Sequence, residues 1–149
     1  MELGDPVRAV LDTKGWGVSS VAPDQTVLQA LEKMAHEGVG ALVVVTGERL
    51  AGMFSERDYA RKVILEGRTS RDSLVRDIMT QDVITVTPDE TVDRCMHLMT
   101  EHRIRHLPVM VGERVAAMIS QGDLVKWIIS RQSETIEQLQ HYITGGYLR

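Results

Sequence analysis

Two segments of the chain space their apolar residues with the period of a helix. In each segment, apolar side chains recur at i, i+3, i+4 and i+7, which places them on one face of a helix. The two sets are Val27, Ala30, Leu31 and Met34, and Val92, Cys95, Met96 and Met99. The pattern predicts two amphipathic helices, with Pro23 and Pro88 at positions suited to their first turns.

Short runs of β-branched residues flank each predicted helix. One run, at 18–21 or 83–86, precedes the helix, and two follow it, at 41–45 and 50–54 or at 106–111 and 115–119. Gly47-Glu48 and Gly112-Glu113 supply the tight turn between the two later runs. Because proline cannot donate to a ladder, Pro108 should lie at a strand start or a sheet edge. A second helix should open at Ser55 and at Ser120, so the predicted order is β-α-β-β-α in both halves.

The two halves are copies of one unit. Residues 22–60 align with residues 87–125 at a constant offset of 65, and 14 of the 39 aligned positions are identical. This identity indicates a duplicated supersecondary unit, so we expect two facing copies with equivalent clefts at their interface. A related lead-in precedes each copy, at 7–11 and 75–79. The predicted domains are 7–65 and 74–130, followed by a C-terminal helix and tail at 131–149, in which the helix runs to about Tyr142 and ends at Gly145-Gly146.

Composition and charge narrow the class of protein. A chain of 149 residues can bury roughly two-thirds of its unfolded surface. A net charge of −4, with both signs interspersed, offers no broad basic surface to nucleic acid. The longest apolar run, 41–45, is too short to cross a bilayer, no secretory leader opens the chain, and the single Cys95 excludes an internal disulfide. We therefore expect a soluble cytoplasmic protein with no membrane or nucleic-acid partner.

A Ser-x-x-Asp motif stands at the predicted strand-to-helix junction of both copies. The residues are Ser55 and Asp58 in the first copy and Ser120 and Asp123 in the second. The N-terminus of a helix favours anions and polar oxygens, and an outward-facing Asp one turn into the helix could accept both hydroxyls of a ribose. The alternative is a capping box, in which Ser and Asp only satisfy the helix end. Occurrence of the pair in both copies favours ligand binding.

These motifs resemble those of a pair of cystathionine-β-synthase-type (CBS) domains in a small stand-alone protein of bacterial type. The resemblance rests on the duplicated unit with PDETV (88–92), HRIRHLPV (102–109), and SERD and SQGD at the two junctions, and it covers residues 7–130. It implies an α/β (α+β) fold of two β-α-β-β-α units packed as a pseudo-twofold pair. In that family two clefts commonly bind adenine nucleotides, with the Asp of the motif on the ribose.

The resemblance implies a set of binding residues for each cleft. In the first cleft Asp58 would hold the ribose, Val83 and Ile84 the base, and Arg57, Arg105 and His106 the phosphate. The complete first set is Ser55, Arg57, Asp58, Asp82, Val83, Ile84, Ile104, Arg105, His106 and Pro108. The second set is Lys14, Gly17, Val18, Ser19, Val39, Gly40, Ala41, Ser120 and Asp123.

The second set lacks the basic residues of the first. Gly40 and Ala41 stand where the first set has Arg105 and His106, so a phosphate would need another cation, for which Lys14 is the nearest candidate in sequence. We expect this cleft to be weaker, empty, or adapted to another part of the ligand. AMP, ADP or ATP, and NAD(H) all remain candidate ligands.

No pattern predicts catalysis. The sequence contains no Walker A motif, no metal-binding spacing of His and Cys, and no local set of nucleophile and base, so we expect no catalytic residues, no metal and no required cofactor. Cys95 should be an inert core thiol.

The predicted function is a regulatory, signal-transducing sensor of adenine nucleotides that acts in trans on an unidentified protein. We expect a homodimer, with candidate contacts at Val125, Trp127, Ile128 and Ile129, although core packing would also explain these residues. The alternatives are a structural dimerisation scaffold with vestigial clefts and a nucleotide-hydrolysing enzyme.

Overall fold

A computed structural model describes residues 4–141 of the chain. The predicted helix stop at Gly145-Gly146 and the tail from residue 142 lie outside the described residues. The chain divides into two compact units. Unit 1 comprises Met1–Gly15, Thr87–Leu107 and Ile119–Arg149, and unit 2 comprises Trp16–Val86 and Pro108–Met118. Each unit therefore combines segments from both copies of the repeat.

A five-stranded sheet lies mostly in unit 2. Its strands follow the order β1-β2-β3-β5-β4, with β1 parallel to β2 and β2 antiparallel to β3. The bounds are Ser20–Val21 (β1), Ala41–Thr46 (β2), Arg49–Ser55 (β3), His106–Val111 (β4) and Arg114–Ser120 (β5). Gly47 and Gly112, with φ of 66° and 61°, make the two predicted turns. Pro108 lies in β4 at the sheet edge, as its missing N–H requires.

Helices cover the apolar side chains of this sheet. They are α2 (Val27–Glu37), the short α3 (Glu56–Tyr59), a π-helical turn at Ala60–Ile64, and α4 (Val75–Ile78). The largest fully buried side chain of the core is that of Phe54 on β3, which packs with residues from α2, β2 and α4. The predicted apolar face of α2 is confirmed, since Val27, Ala30 and Met34 are buried and Leu31 packs against them.

The described part of unit 1 contains three helices. They are α1 (Val7–Lys14), α5 (Val92–His102) and α6 (Gln121–His141), and α6 packs against both α1 and α5. The predicted face of α5 is confirmed at Val92, Cys95 and Met99, although Leu98 is buried where Met96 is only half-buried. Burial, followed by the charge of Glu90, raises the pKa of the Cys95 thiol to about 12, in agreement with an inert core thiol.

Three details differ from the sequence prediction. The prolines do not begin the helices, because α2 and α5 begin four residues later, with Thr26 and Thr91 as their N-caps. Residues 18–21 yield only the two-residue β1, and residues 83–86 form no strand beyond a parallel bridge between Val86 and Val109. Both stretches run at the margin of the sheet, where few ladder partners are available.

The lead-in of each copy hydrogen-bonds to the other copy. In unit 1, the N–H of Val7 donates to Glu90 O (2.7 Å) and that of Arg8 to Pro88 O (2.8 Å). The equivalent residues in unit 2 repeat both bonds: Val75 N donates to Gln25 O (2.9 Å) and Arg76 N to Pro23 O (2.9 Å). Thus α1, which precedes the first copy, belongs structurally with the second, and α4 with the first.

Candidate functional site

Asp58 of unit 2 lies at the N-terminus of α3 and is 9% exposed. Both halves of a capping box are present: Ser55 Oγ accepts from the N–H of Asp58 (3.2 Å), and Asp58 Oδ2 accepts from the N–H of Ser55 (3.0 Å). The extended backbone of Ser55 at the end of β3 places its side chain over the free N–H groups of α3. The capping box is therefore formed at this pair.

The carboxylate of Asp58 has its acceptor positions filled from within unit 2. Oδ2 accepts from the N–H and the hydroxyl of Ser55, both at 3.0 Å. Oδ1 accepts from Thr80 Oγ1 at 3.0 Å and lies 3.1 Å from Lys62 Nζ. Since a carboxylate offers about four acceptor positions, a ribose hydroxyl could bind Asp58 only by displacing one of these donors.

Two of these donors were missed by the sequence analysis. Lys62 stands at i+4 from Asp58, a spacing at which oppositely charged helical residues meet, and this signal could have been used. Thr80 lies 22 residues away in the lead-in of the second copy, where it pairs with β3 through two backbone hydrogen bonds to Met53 (2.8 and 2.9 Å). No local spacing indicates such a contact.

Asp123 of unit 1 occupies the equivalent place at the start of α6. Its Oδ2 accepts from the N–H of Ser120 (2.9 Å), and its own N–H donates to Ser120 Oγ (3.0 Å). The remaining donor to Oδ2 is Lys14 Nζ, at 2.6 Å. Among the described residues, no side chain or backbone group donates a hydrogen bond to Oδ1.

The electrostatics of Asp123 depend on Lys14. Burial by itself would raise the pKa of Asp123, but the hydrogen bond and charge of Lys14, together with the Ser120 bonds, hold that pKa below its ordinary value. The side chains of Lys14 and Asp123 are 34% and 26% exposed, so the pair is within reach of solvent. Asp123 is therefore an ionised carboxylate at neutral pH, and its cation is Lys14 at the end of α1.

The second copy has no lysine at the position that matches Lys62. Position 127, which matches Lys62 in the repeat, is a tryptophan whose Nε1 donates to Asp5 Oδ2 at 2.9 Å. The second helix thus carries no lysine at i+4 from Asp123, and the cation on that carboxylate is Lys14 of α1.

The rest of the first predicted set is divided between the units. In unit 2, Arg57 and Asp82 are exposed, Val83 and Ile84 are half-buried, and Pro108 is buried. In unit 1, Ile104 and His106 are half-buried and Arg105 is exposed, and the carbonyl of Arg105 accepts from the N–H of Gln121 at 2.8 Å. That bond ties the segment before β4 to the first residue of α6.

The rest of the second set lies in unit 2. Gly17 is exposed, Val18 and Ser19 are half-buried, and the carbonyl of Ser19 accepts from Val43 N at 3.1 Å. Val39 and Gly40 are half-buried, and Gly40 O accepts from Glu56 N at 3.1 Å. Ala41 is buried at the start of β2. Of this set, the structure brings together Lys14, Ser120 and Asp123 in unit 1.

Residues 4–141 contain no group of three His, Cys, Asp or Glu side chains that could hold a metal ion. Within the same range, no helix has the length and apolar character needed to cross a bilayer.

The pattern of a known family covers most of the chain. The CBS domain profile matches residues 7–65 and again residues 75–130. This chain belongs to the CBS domain family. Its CBS domains are similar to those of the CBS domain-containing protein CBSX3, mitochondrial, of Arabidopsis thaliana, with 47% identity over 83% of the chain and 63% of that relative. They are also similar to the CBS domain-containing protein YhcV of Bacillus subtilis, with 30% identity over 85% of the chain and 90% of that protein.

Solved structures of CBS proteins share the fold. A putative signal-transduction protein with CBS domains from Burkholderia ambifaria matches with a TM-score of 0.82 and 45% identity, over 86% of this chain and 96% of that one. The CBS domain pair of protein MJ0100, solved with 5′-methylthioadenosine and S-adenosyl-L-methionine, matches with a TM-score of 0.75 and 21% identity, over 85% and 98%. The mixed α/β fold is thus that of CBS domain pairs.

Proposed function

We propose that this CBS protein is a regulatory module that binds an adenine nucleotide and signals its presence to a separate protein. The observation that carries the proposal is the open carboxylate oxygen of Asp123, held ionised at the start of a 21-residue helix. Such an oxygen can accept a sugar hydroxyl, and the helix end favours a nearby phosphate. Membership of the CBS family and the adenosine-containing ligands of the MJ0100 pair support the choice of ligand class.

The ligand candidates are AMP, ADP or ATP, and NAD(H), bound without catalysis and without a further cofactor or metal. The proposed contacts are the two residue sets given above, with Asp58 and Asp123 on ribose hydroxyls and the basic residues on phosphate. Binding shifts the population of two conformations by as much as the ligand's affinities for them differ. The unidentified protein partner reads that shift, and the proposed compartment is the cytoplasm.

A thermal-shift measurement tests the proposal. The wild-type protein is heated with AMP, ADP, ATP, NAD, NADH or S-adenosylmethionine, each at several concentrations. A ligand at 100 times its Kd stabilises the folded state by about 2.7 kcal/mol, which corresponds to a rise of several degrees in Tm. Asp123→Asn should abolish the rise for the ligand bound there. The control is Asp24→Asn, which changes an exposed aspartate of unit 2 and should leave the rise intact.

The second candidate function is a structural scaffold, and one observation favours it for the first copy. The carboxylate of Asp58 is engaged by four donors of its own unit, which is what a purely structural residue requires. If none of the six compounds changes Tm, the sensor proposal is wrong and the scaffold stands. A rise that Asp123→Asn removes and Asp58→Asn leaves unchanged assigns a sensing role to the second copy and a structural one to the first.

We also propose that the protein is a homodimer, formed through α6. This helix exposes four large apolar side chains at spacings that keep them on one face: Val125 (41%), Ile129 (56%), Ile136 (55%) and Leu139 (57%). Of the predicted contacts, Val125 and Ile129 are exposed, whereas Trp127 and Ile128 are half-buried. Light scattering after size exclusion should give twice the mass of the chain, and Ile129→Glu should give the monomer mass. A monomer mass for the wild-type protein would contradict the assignment.

A further inference from the structure

Five exposed positions of α6 follow the heptad spacing of a coiled coil. They are separated by alternating steps of four and three residues, which is the a/d repeat of a helix that pairs with another helix. We call these positions the α6 seam: Val125, Ile129, Gln132, Ile136 and Leu139. Isoleucine occupies both a positions, and the d positions hold valine, glutamine and leucine. This composition is typical of two-stranded coiled coils, apart from the one polar residue.

The second half of α6 packs little against the rest of the described chain. In the first half, Leu124 is buried, Trp127 and Ile128 are half-buried, and the helix packs against α1 and α5. Every residue from 132 to 141 is exposed. Helical segments shorter than about 12 residues are only marginally stable in water when they stand alone. A second helix along the α6 seam would therefore stabilise this half.

The residues that flank the α6 seam fit an identical helix as the partner. In a parallel pair, each g residue lies beside the e residue of the next heptad on the other helix. No such pair brings two charges of one sign together: the pairs are Gln121 with Lys126, Ile128 with Ser133, and Thr135 with Gln140. Arg131, Glu134 and Glu137 occupy c, f and b positions away from the seam, and Arg131 pairs with Glu134 of its own chain. Two copies can thus meet without charge repulsion.

Gln132 distinguishes between the two possible directions of such a pair. In a parallel pair in register, d residues face d residues, so the Gln132 amides of the two copies meet and each can donate to the other. An antiparallel pair places d residues against a residues, which sets Gln132 against an isoleucine. The buried amide would then lack a partner, which is costly. The parallel direction is the one that satisfies this polar group.

We propose that α6 of two copies forms a parallel, in-register coiled coil, in which the Gln132 side chains pair across the seam. The inference rests on the homodimer proposed above and adds the direction and the register of the contact. It gives a role to residues 132–139 of α6, which lie beyond the CBS domain match that ends at residue 130. Both copies of unit 1 then lie at the same end of the coiled coil.

Disulfide trapping with single introduced cysteines tests the direction and register. The native Cys95 is buried and should not react without denaturant. Leu139→Cys should form a covalent dimer under mild oxidation by glutathione disulfide, seen on a non-reducing gel, because facing d side chains are close enough to bridge. In an antiparallel pair the two residues at 139 would lie at least about 15 Å apart along the axis. Gln138→Cys, on the outer face, is the matched control and should give no covalent dimer.

A second experiment tests the role of Gln132. Chains with Ile129→Cys and chains with Leu139→Cys are mixed before oxidation, and mass spectrometry of the digest identifies which positions are joined. With Gln132 in place, only like positions should be joined. In the Gln132→Leu background, disulfides between positions 129 and 139 should appear as well, because a wholly apolar seam fits both directions.

The outcomes separate this inference from the homodimer on which it rests. If light scattering gives the monomer mass for the wild-type protein, the homodimer is wrong and the inference falls with it. If the wild-type protein is a dimer but Leu139→Cys is joined no faster than Gln138→Cys, the homodimer stands and the parallel coiled coil is wrong. Mixed disulfides with Gln132 in place would show an antiparallel pair. If they stay absent in Gln132→Leu, the amide does not set the direction.

Discussion

Replacing Asp58 by alanine should destabilise unit 2 even without any ligand. The substitution removes the acceptor for Ser55, Thr80 and Lys62 at a site where only 11% of the Asp58 side chain is exposed. Lys62 retains its bond to Ile78 O and is 41% exposed, so water can replace its lost contact. The Ser55 N–H and the Thr80 hydroxyl lose a charged acceptor.

The expected loss follows from these two bonds. Hydrogen bonds to a charged group contribute about 1.5 kcal/mol each at the lower end of their range, so Asp58→Ala should lower the free energy of unfolding by about 3 kcal/mol. Asp123→Ala removes an ion pair open to solvent, worth at most about 1 kcal/mol, and one bond from the Ser120 N–H, so about 1.5 kcal/mol is expected. The first substitution should therefore cost about twice as much as the second.

Urea denaturation followed by tryptophan fluorescence measures both values. The chain has two tryptophans, Trp16 in unit 2 and Trp127 in unit 1, so Trp127→Phe leaves a fluorophore in unit 2 and Trp16→Phe leaves one in unit 1. Asp58→Ala should shift the midpoint in the first background, and Asp123→Ala in the second, with the slope unchanged.

The control for this comparison is Asp24→Ala, which removes an exposed carboxylate from unit 2. Surface substitutions of this kind change stability by no more than about 0.5 kcal/mol. A loss for Asp58→Ala below about 1 kcal/mol, or one equal to that of Asp24→Ala, would refute the argument that the carboxylate is saturated. The test also decides how a loss of nucleotide binding in Asp58→Ala should be interpreted.

Three other predictions concern packing, pH and reactivity. Gly52→Ala would place a Cβ 2.7 Å from Thr80 O, so calorimetry should show a loss of about 2 kcal/mol; an unchanged Tm would show that the Thr80 segment moves freely. Because the folded pKa of Asp123 is depressed, its contribution is present above about pH 4 and disappears as the pH falls through the folded pKa. The Tm advantage of wild type over Lys14→Met should accordingly shrink from pH 5 to pH 2, whereas a constant difference would argue against the ion pair. Cys95, with a pKa of about 12, should resist iodoacetamide at pH 8 until urea is added, as mass spectrometry would show.

The repeated elements could be predicted because their signals are local. The apolar faces of α2 and α5, the hairpin glycines and the serine at each strand-to-helix junction all appear within a few residues of sequence. The structure confirms these predicted features, including the positive φ of Gly47 and Gly112. The duplication strengthens each prediction, since the same sequence pattern occurs at matching positions of both copies.

The helix starts show where local signals compete. Residues 22–25 do form a turn, in which Ala22 N donates to Gln25 Oε1 at 2.8 Å, but the capping box that begins α2 is formed by Thr26 and Gln29. The residues of each pair, Ala22 and Gln25 or Thr26 and Gln29, are three positions apart in the sequence. A hydrogen bond from Val27 N to Ser73 O fixes the later start, and Ser73 lies 46 residues away. Such a distant partner leaves no periodic signal.

The contacts of the candidate site were even less accessible to sequence. The Ser-x-x-Asp pairs could be recognised, but Thr80 on Asp58 and Lys14 on Asp123 are set by the fold. The sequence indicates Lys14 only as a possible cation for phosphate, because nothing local connects position 14 with position 123. A change of one side chain, from Lys62 to Trp127 across the repeat, accompanies the different source of the cation.

The exchanged lead-ins have a consequence for how the two copies depend on each other. Because α1 bonds to the second copy and α4 to the first, a single copy with its own lead-in would lack the segment that covers its helix start. Two such chains could satisfy one another only by trading lead-ins, which is the arrangement of a domain-swapped dimer. In the duplicated chain, both lead-ins and both helix starts belong to one polypeptide, so these contacts form without association of separate chains. Cutting it between residues 65 and 74 should yield halves that fold only when mixed.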